Sequence, residues 1–402
     1  MKILHVVTSF PPAHAFGGAP HAAYLLAREL ARRGHEITIY TTDAKDPCAR
    51  LWRTKEPWIE KEIDSMKVVY FRNLTMLTVK IFKLFATPAL PARTREEVKE
   101  FDVVHLHEFR TLQNAAVARA AREHGVPYLL QARGSVSRIG SWKTLKLIYD
   151  AVYGYKLLRG ASRVVALTSV EAEQYKQMGV PEAKIVVVPN GIDLSEYSDL
   201  PPIGAFKEKF NLPEDKRVVL YIGRIHWIKG VDILAKAYAL LARQPSFKDT
   251  ILVIAGPDDG YLSKVKSLVR ELGISDSVLF TGPLYGRDKL SAYVDAEVVV
   301  LPSRYETFPN TVLEAYACSK PVVASNVEAI SDIVLHEKTG LLFQDGDVKG
   351  LANAIAYMLT HPEEAEKMGH NAQKLVEEKF SIDRVVTQLE ALYEKVLKRN
   401  KN

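Results

Sequence analysis

Two carboxylates eight positions apart, Glu306 and Glu314, frame the stretch Arg304–Tyr–Glu–Thr–Phe–Pro–Asn–Thr–Val–Leu–Glu314. Pro309 suits the first turn of a helix, which leaves Glu306 in the loop leading in and sets Glu314 on the second turn. The N–H groups at a helix start favour anions. A carboxylate is a poor neighbour for phosphate but a good acceptor for sugar hydroxyls, so the set suits a ligand that carries both. Upstream, Gly223–Arg224–Ile–His–Trp–Ile–Lys229–Gly230 follows a strand-like run and opens a helix. Arg224 can fork to phosphate oxygens, and Lys229 supplies a flexible point charge.

Three weaker signals lie elsewhere. Gly17–Gly18 falls between a first strand and a first helix, where glycine lets backbone approach a phosphate. The pair is not Gly-x-Gly-x-x-Gly, and no acid follows at the dinucleotide position, which argues against a nicotinamide cofactor. The run Asp102–Val–Val–His–Leu–His107 ends a strand, and alternation sends His105 and His107 to one face. With Glu108 they make a zinc site conceivable, but no third spaced ligand accompanies the histidines. Tyr285, in Gly282–Pro–Leu–Tyr–Gly286, lies in a turn after a strand and is either an exposed turn residue or the border of a flat ligand.

The elements that must position these residues alternate β-branched runs with amphipathic stretches, the pattern of parallel sheets flanked by helices. The first half reads as strands at Ile3–Val7, Glu36–Thr41, Val68–Phe71, Val103–Leu106, Tyr128–Gln131, Val164–Ala166 and Ile185–Val188, with a helix Ala19–Arg33 closed by Gly34. The second half reads as strands at Val218–Ile222, Ile251–Ala255, Val278–Thr281, Val298–Leu301, Pro321–Ala324 and Gly340–Phe343. A chain of 402 residues exceeds one ordinary core. Two domains are expected, 1–195 and 205–381, joined through the stiff Leu200–Pro–Pro–Ile–Gly204, with 382–402 as a final helical segment.

Bulk composition bounds the setting. Cys48 and Cys318 match no metal or redox spacing, as expected in a reducing cytosol. The apolar run at the N-terminus is too short for a signal peptide, and no stretch approaches the ~20 apolar residues that span a bilayer. Residues 1–200 carry 28 Lys and Arg against 21 Asp and Glu, and the rest carry 26 against 27, so the first half is basic. Either this is ordinary surface variation or that half meets something anionic, such as a membrane. Leu74–Leu90 is strongly apolar with two lysines, and Arg133, Arg138, Lys143, Lys146, Lys156 and Arg159 cluster among aromatic residues. An interfacial enzyme needs such a face; core helices with solvated edges are the competing reading.

The Glu-x7-Glu stretch, the Arg224/Lys229 pair, the glycine pair and the histidine strand end occur in the order of the family 4 retaining glycosyltransferases, and the chain resembles that family over nearly its whole length. The resemblance implies a GT-B fold: two Rossmann-like domains with parallel sheets facing across a cleft, and a last helix crossing back to the first. It implies transfer of a sugar from a nucleoside-diphosphate sugar, UDP-linked by preference, to a hydroxyl acceptor such as a glycolipid or polysaccharide. Arg224, Lys229, Glu306 and His107 would be catalytic. Gly17, Gly18, Tyr285, Phe308, Asn310, Thr311 and Glu314 would bind donor. Cofactor and metal are not implied, because cations and helix N-termini meet the departing diphosphate. The protein would be cytoplasmic, peripheral to the inner membrane face if the basic apolar surface binds lipid. Two other classes fit less: a nucleotide-sugar epimerase of the same fold, and a non-catalytic nucleotide or nucleic-acid binder, for which the basic cluster lacks a recognised motif.

Overall fold

The computed structural model describes residues 1–13, 17–138 and 142–400. The chain forms two compact units, Met1–Gly191 with Ile382–Asn402, and Ile192–Ser381. The division at Gly191/Ile192 falls just before the connector expected from sequence. Ile192 and Tyr197 already pack with Phe206 and Leu220 in the second core, so the supposed linker is the first layer of the second unit. The expected final helix 382–402 is seen as Ile382–Asn400, and Lys401 and Asn402 lie outside the described residues.

The first unit is built on eight strands: β1 (Lys2–Val6), β2 (Glu36–Thr42), β3 (Trp58–Ile63), β4 (Met66–Phe71), β5 (Val103–His107), β6 (Tyr128–Gln131), β7 (Arg163–Ala166) and β8 (Ile185–Val187). Their order is β3-β4-β2-β1-β5-β6-β7-β8. All pairs are parallel except β3 with β4. β3 escapes a reading of hydrophobic runs because its centre is Glu–Lys–Glu on an exposed edge. Its hairpin turns at Asp64 and Ser65, both with positive φ (48° and 62°), the conformation a two-residue hairpin loop needs.

The second unit has six strands: β9 (Arg217–Ile222), β10 (Thr250–Ala255), β11 (Val278–Gly282), β12 (Ala296–Leu301), β13 (Val322–Ser325) and β14 (Gly340–Phe343). They are ordered β11-β10-β9-β12-β13-β14 and all run parallel. In each sheet the first strand sits between neighbours reached in opposite directions, β1 between β2 and β5, β9 between β10 and β12. Loops leaving the carboxyl ends of such a pair diverge and open a crevice, the place where open α/β sheets bind ligands.

The helix Ile382–Asn400 follows the second unit in sequence but belongs to the first. Val385, Val386, Leu389, Leu392, Tyr393 and Val396 repeat at helical spacing and pack with Ile3, Leu26, Leu30 and Ile37. Arg33 reaches Glu390 and Asp383, each at 2.5 Å. Leu389 is fully buried in this seam. Leu389→Ala should therefore lower unfolding free energy by about 2–5 kcal/mol, read from urea denaturation.

Candidate functional site

In the second unit, the crevice between β9 and β12 gathers the charged residues that the sequence singled out. Gly223–Gly230 leaves β9, and Gly230 adopts the left-handed conformation (φ 66°). A Cβ there would stand 1.9 Å from the carbonyl oxygen of Pro302, so only glycine lets this loop lie against the one leaving β12. The contact is reinforced where the Arg304 N–H donates to the Ile228 carbonyl (2.8 Å) and the Arg304 guanidinium forks onto Asp232 (2.8 and 2.9 Å). Two loops from different strands are thereby locked together.

That lock places Lys229 Nζ 2.5 Å from Glu306 Oε1. Ser303 Oγ donates to the same carboxylate oxygen (2.8 Å), and Glu306 is nearly buried. Arg224 stays half exposed and pairs with Asp259 across the loops following β9 and β10. The other acid, Glu314, projects from the helix Asn310–Ala317. Its Oε1 receives Lys289 Nζ (3.0 Å) and its Oε2 the Tyr293 hydroxyl (2.8 Å). Burial and the Glu314 charge hold the Tyr293 hydroxyl protonated, far above its ordinary range, so it remains a donor.

Pro309 stands one position earlier than expected. It caps the helix with extended backbone (φ −84°, ψ 91°), and the first turn begins at Asn310. Its carbonyl accepts the Val312 N–H (3.0 Å), the acceptor role that proline retains. Thr311 Oγ reaches back to the Ile222 carbonyl at 3.4 Å, tying this helix start to the end of β9. Phe308 packs near Phe380, with ring centroids 6.1 Å apart. Tyr285 precedes the helix Gly286–Val294 and is 65% exposed, leaving a ring face open to solvent.

The first unit carries a different site at its own switch point. Gly17 caps the helix Gly18–Arg32 with φ 89°, and among the described residues a Cβ there would meet nothing within 4 Å. His107 is fully buried, with both ring nitrogens engaged: Arg133 Nε donates to Nδ1 (3.1 Å), and Nε2 lies 2.9 Å from His5 Nδ1. Arginine can only donate, so Nδ1 of neutral His107 is an acceptor and its proton sits on Nε2. Nε2 then donates to His5, whose proton is on its own Nε2. Donation runs one way, from Arg133 through His107 on β5 to His5 on β1, and Arg133 also donates to Asn190 Oδ1 at 2.6 Å.

His5 supplies the third histidine that spacing along the chain did not offer, since β1 lies beside β5 and pairs His5 with His105. One ring nitrogen from each of the three lies within 4.8 Å of the others. The rings are stacked or tilted at centroid distances of 4.2–5.2 Å, and the His5–His107 nitrogen separation of 2.9 Å is shorter than the ~3.4 Å between two ligands on tetrahedral zinc. The His5–His107 pair is thus held as a hydrogen bond.

The groups that complete this edge were read otherwise in sequence: Glu108 as a neighbour of a conceivable zinc site, and Arg133 as part of a basic surface cluster, from which its burial removes it. Glu108, with φ 67°, follows β5 directly, and Arg133, with φ 50°, follows β6. Both are buried. Glu108 Oε2 and one terminal nitrogen of Arg133 have no hydrogen-bond partner. Burial raises the Glu108 carboxyl above the usual carboxylate range and lowers Arg133 to about 10. Buried unpartnered polar atoms at strand carboxyl ends await a polar ligand. The available signal was position: the two residues stand one and two places beyond the ends of parallel strands. Lys289 and Tyr293, the partners of Glu314, carried no motif at all.

Comparison with known proteins agrees with this layout. Residues 203–375 match the family described as "Glycosyl transferases group 1", and residues 16–196 match "Glycosyltransferase Family 4". A D-inositol 3-phosphate glycosyltransferase of Actinosynnema mirum is 32% identical over 388 residues, 91% of this chain and 89% of the relative. Sucrose-phosphate synthase of Thermosynechococcus elongatus superposes with TM-score 0.80 at 24% identity, covering 99% of both chains. Anabaena HepE in complex with UDP and glucose superposes with TM-score 0.78 at 21% identity, covering 98% of this chain and 100% of HepE. The fold is GT-B and the protein is a transferase. The chain belongs to the family 4 glycosyltransferases.

The histidine relay has a pH signature. Burial, with Arg133 adding, depresses His5 from 6.5 to about 3, and burial likewise holds His105 and His107 well below 6.5. Their neutral state is matched to the fold above about pH 6.5. Below it the unfolded chain takes up protons that the folded one refuses, so stability falls as pH drops toward 3. Glu108 and Glu171, raised by burial, run the other way, so a variant must isolate the histidines. His105→Phe should flatten the loss between about pH 6.5 and 4.5 by roughly one proton, about 1.4 kcal/mol per pH unit, in urea unfolding.

Proposed function

We propose that the protein transfers a sugar from a nucleoside-diphosphate sugar, UDP-linked by preference, to a hydroxyl acceptor with retention of anomeric configuration. The observation that carries this reading is the Lys229–Glu306 pair at the switch point of the second sheet, beside the helix that bears Glu314. HepE, whose solved complex holds UDP and glucose, supports a uridine donor.

In this reading Glu314 accepts the ribose hydroxyls through the lone pairs that Lys289 and Tyr293 leave open. Tyr285 offers its exposed ring to the base. Phe308, Asn310 and Thr311 line the approach to the sugar and phosphates. Glu306 binds hydroxyls of the transferred sugar while steering Lys229. As the glycosidic bond breaks, the diphosphate gains negative charge, and Lys229 and Arg224 meet it. Arg224 exchanges Asp259 for phosphate oxygens, an easy trade for a half-exposed pair. Because these cations supply the positive charge, the reaction proceeds without a metal or cofactor. Attack comes from the face the diphosphate leaves, and the departing phosphate oxygen takes the acceptor proton. In the first unit, Gly17 and Gly18 admit the diphosphate. His107, buried as it is, acts on the sugar through the Arg133 that it orients. The acceptor is a sugar-bearing lipid or a polysaccharide.

Thermal shift against UDP-, GDP- and ADP-glucose tests the donor. At about a hundred times the dissociation constant a bound donor adds about 2.7 kcal/mol, and only the uridine sugar should do so. Glu314→Gln should lose most of that shift while keeping the fold. Absence of a shift with every nucleotide would sink the reading.

Lys229→Ala should slow turnover about 100- to 1,000-fold, a loss of about 3–4 kcal/mol. Lys229→Arg should recover little, since a planar fork does not reproduce a point charge held by Glu306. Slow hydrolysis of an α-linked donor, followed by proton NMR, should release the α-sugar first. The β-sugar first would exclude retention.

A further inference from the structure

Exposed apolar side chains are concentrated rather than scattered. Among the described residues, twelve of the seventeen large hydrophobics left in solvent lie in two stretches of the first unit, residues 74–84 and 142–155. The helix Met76–Phe82 buries only Val79 and turns Leu77, Ile81 and Phe82 outward. The helix Lys143–Tyr149 reads Lys–Thr–Leu–Lys–Leu–Ile–Tyr and buries no residue. Apolar area of this kind stabilises a helix only when something covers it. The stretches also meet, for the Phe82 and Trp142 rings stand 5.0 Å apart between centroids. They form one surface, growing from loops that leave the carboxyl ends of β4 and β6.

A contiguous patch of this extent marks an interaction face, and its charge identifies the partner. Lys80, Lys83, Lys143 and Lys156 are exposed on the same stretches. Residues 74–84 contain no acid, and the only acid in 142–160 is Asp150. Asp150 is buried and neutralised by Arg110 (2.8 Å at both oxygens) and Arg138 (2.9 Å), so it does not reach the surface. Beside Tyr153 the exposed Glu123 is paired with Arg119 at 2.8 Å, so the face is aliphatic, aromatic and net cationic. A second copy of the chain, related by a two-fold axis, would set lysines against lysines. A nucleic acid would satisfy the lysines and leave the aliphatic side chains in water. An anionic bilayer satisfies both. Leucine and isoleucine reach the acyl boundary, aromatic rings sit among headgroups, and lysine stems lie along the apolar surface with their charges on phosphates.

We propose that this face of the first unit docks on an anionic lipid bilayer, lying in its interface. Among the described residues no helix is long and apolar enough to cross a membrane. The inference stands independently of the donor reading. It brings the sheet edge that carries Glu108 and Arg133 toward the headgroups, where a lipid-borne acceptor would be presented.

Flotation of the full-length protein with vesicles, no sugar donor added, tests the proposal. Vesicles of phosphatidylcholine with about a third phosphatidylglycerol should carry the protein, pure phosphatidylcholine should not, and added salt should weaken binding. Leu77→Ser/Ile148→Ser should lower vesicle affinity at least about tenfold, and Lys80→Gln/Lys143→Gln about fivefold per charge. Both pairs are exposed and should keep the wild-type melting temperature. In the wild type, a blue shift of tryptophan emission on anionic vesicles that Trp142→Phe removes would report the insertion directly. Equal binding to both vesicle types, or none to either, overturns the proposal. So does a concentration-dependent dimer in sedimentation velocity that Leu77→Ser/Ile148→Ser abolishes.

Discussion

The contact between the loop leaving β9 and the loop leaving β12 is the constraint on which the second unit's chemistry depends. Both strands are buried and parallel, so their loops emerge on one edge and diverge unless something draws them together. Gly230 permits the approach, and Arg304 fastens it through Asp232 and the Ile228 carbonyl. Only then can Lys229 and Glu306 pair. An ion pair this poorly solvated contributes little net stability, because desolvation offsets most of the attraction. Its value lies in position: a cation and an anion are held where water is scarce, each with capacity for a ligand.

The first unit solves the same geometric problem with neutral groups. Its switch point lies between β1 and β5, and the side chains meeting there are imidazoles whose burial keeps them uncharged. Three stacked neutral rings tolerate a dry interior that three cations would not. The single buried charge they serve, Arg133, is aimed by His107 and Asn190 and balanced by Glu108 and Glu171 nearby. One sheet edge thus offers paired full charges. The other offers a buried guanidinium held by a neutral relay.

What could be read from sequence follows from what is local. The parallel sheets were legible because buried strands are near-continuous β-branched runs, as in Val298–Leu301 and Val218–Ile222. Glu306, Glu314, Arg224 and Lys229 were legible because each group of residues is contiguous and near a strand end. β3 was not, since an edge strand with Glu–Lys–Glu at its centre has no apolar alternation to detect. Lys289 and His5 were not assigned roles, and Arg133 was read as a surface cation, because their partners are brought by topology from 25, 102 and 26 residues away. The stretch Leu200–Pro–Pro–Ile–Gly204 looks like a connector in sequence, but the chain from Ile192 onward packs on the second core, which composition does not show.

The pairing of Glu314 shows why such partners matter. A lone carboxylate on the second turn of a helix would lie far enough from the N-terminus to gain little from the helix dipole, and solvent would hold it. Lys289 and Tyr293 each bind one oxygen, and both come from a single helix packed alongside. This fixes the plane of the carboxylate before any ligand arrives. A freely rotating acid would lose that freedom on binding and weaken the complex accordingly. The buried tyrosine cannot ionise and the lysine cannot accept, so the remaining lone pairs can be satisfied only by incoming donors. In the donor reading proposed above, a preference for a vicinal diol would follow from the carboxylate plane that Lys289 and Tyr293 set.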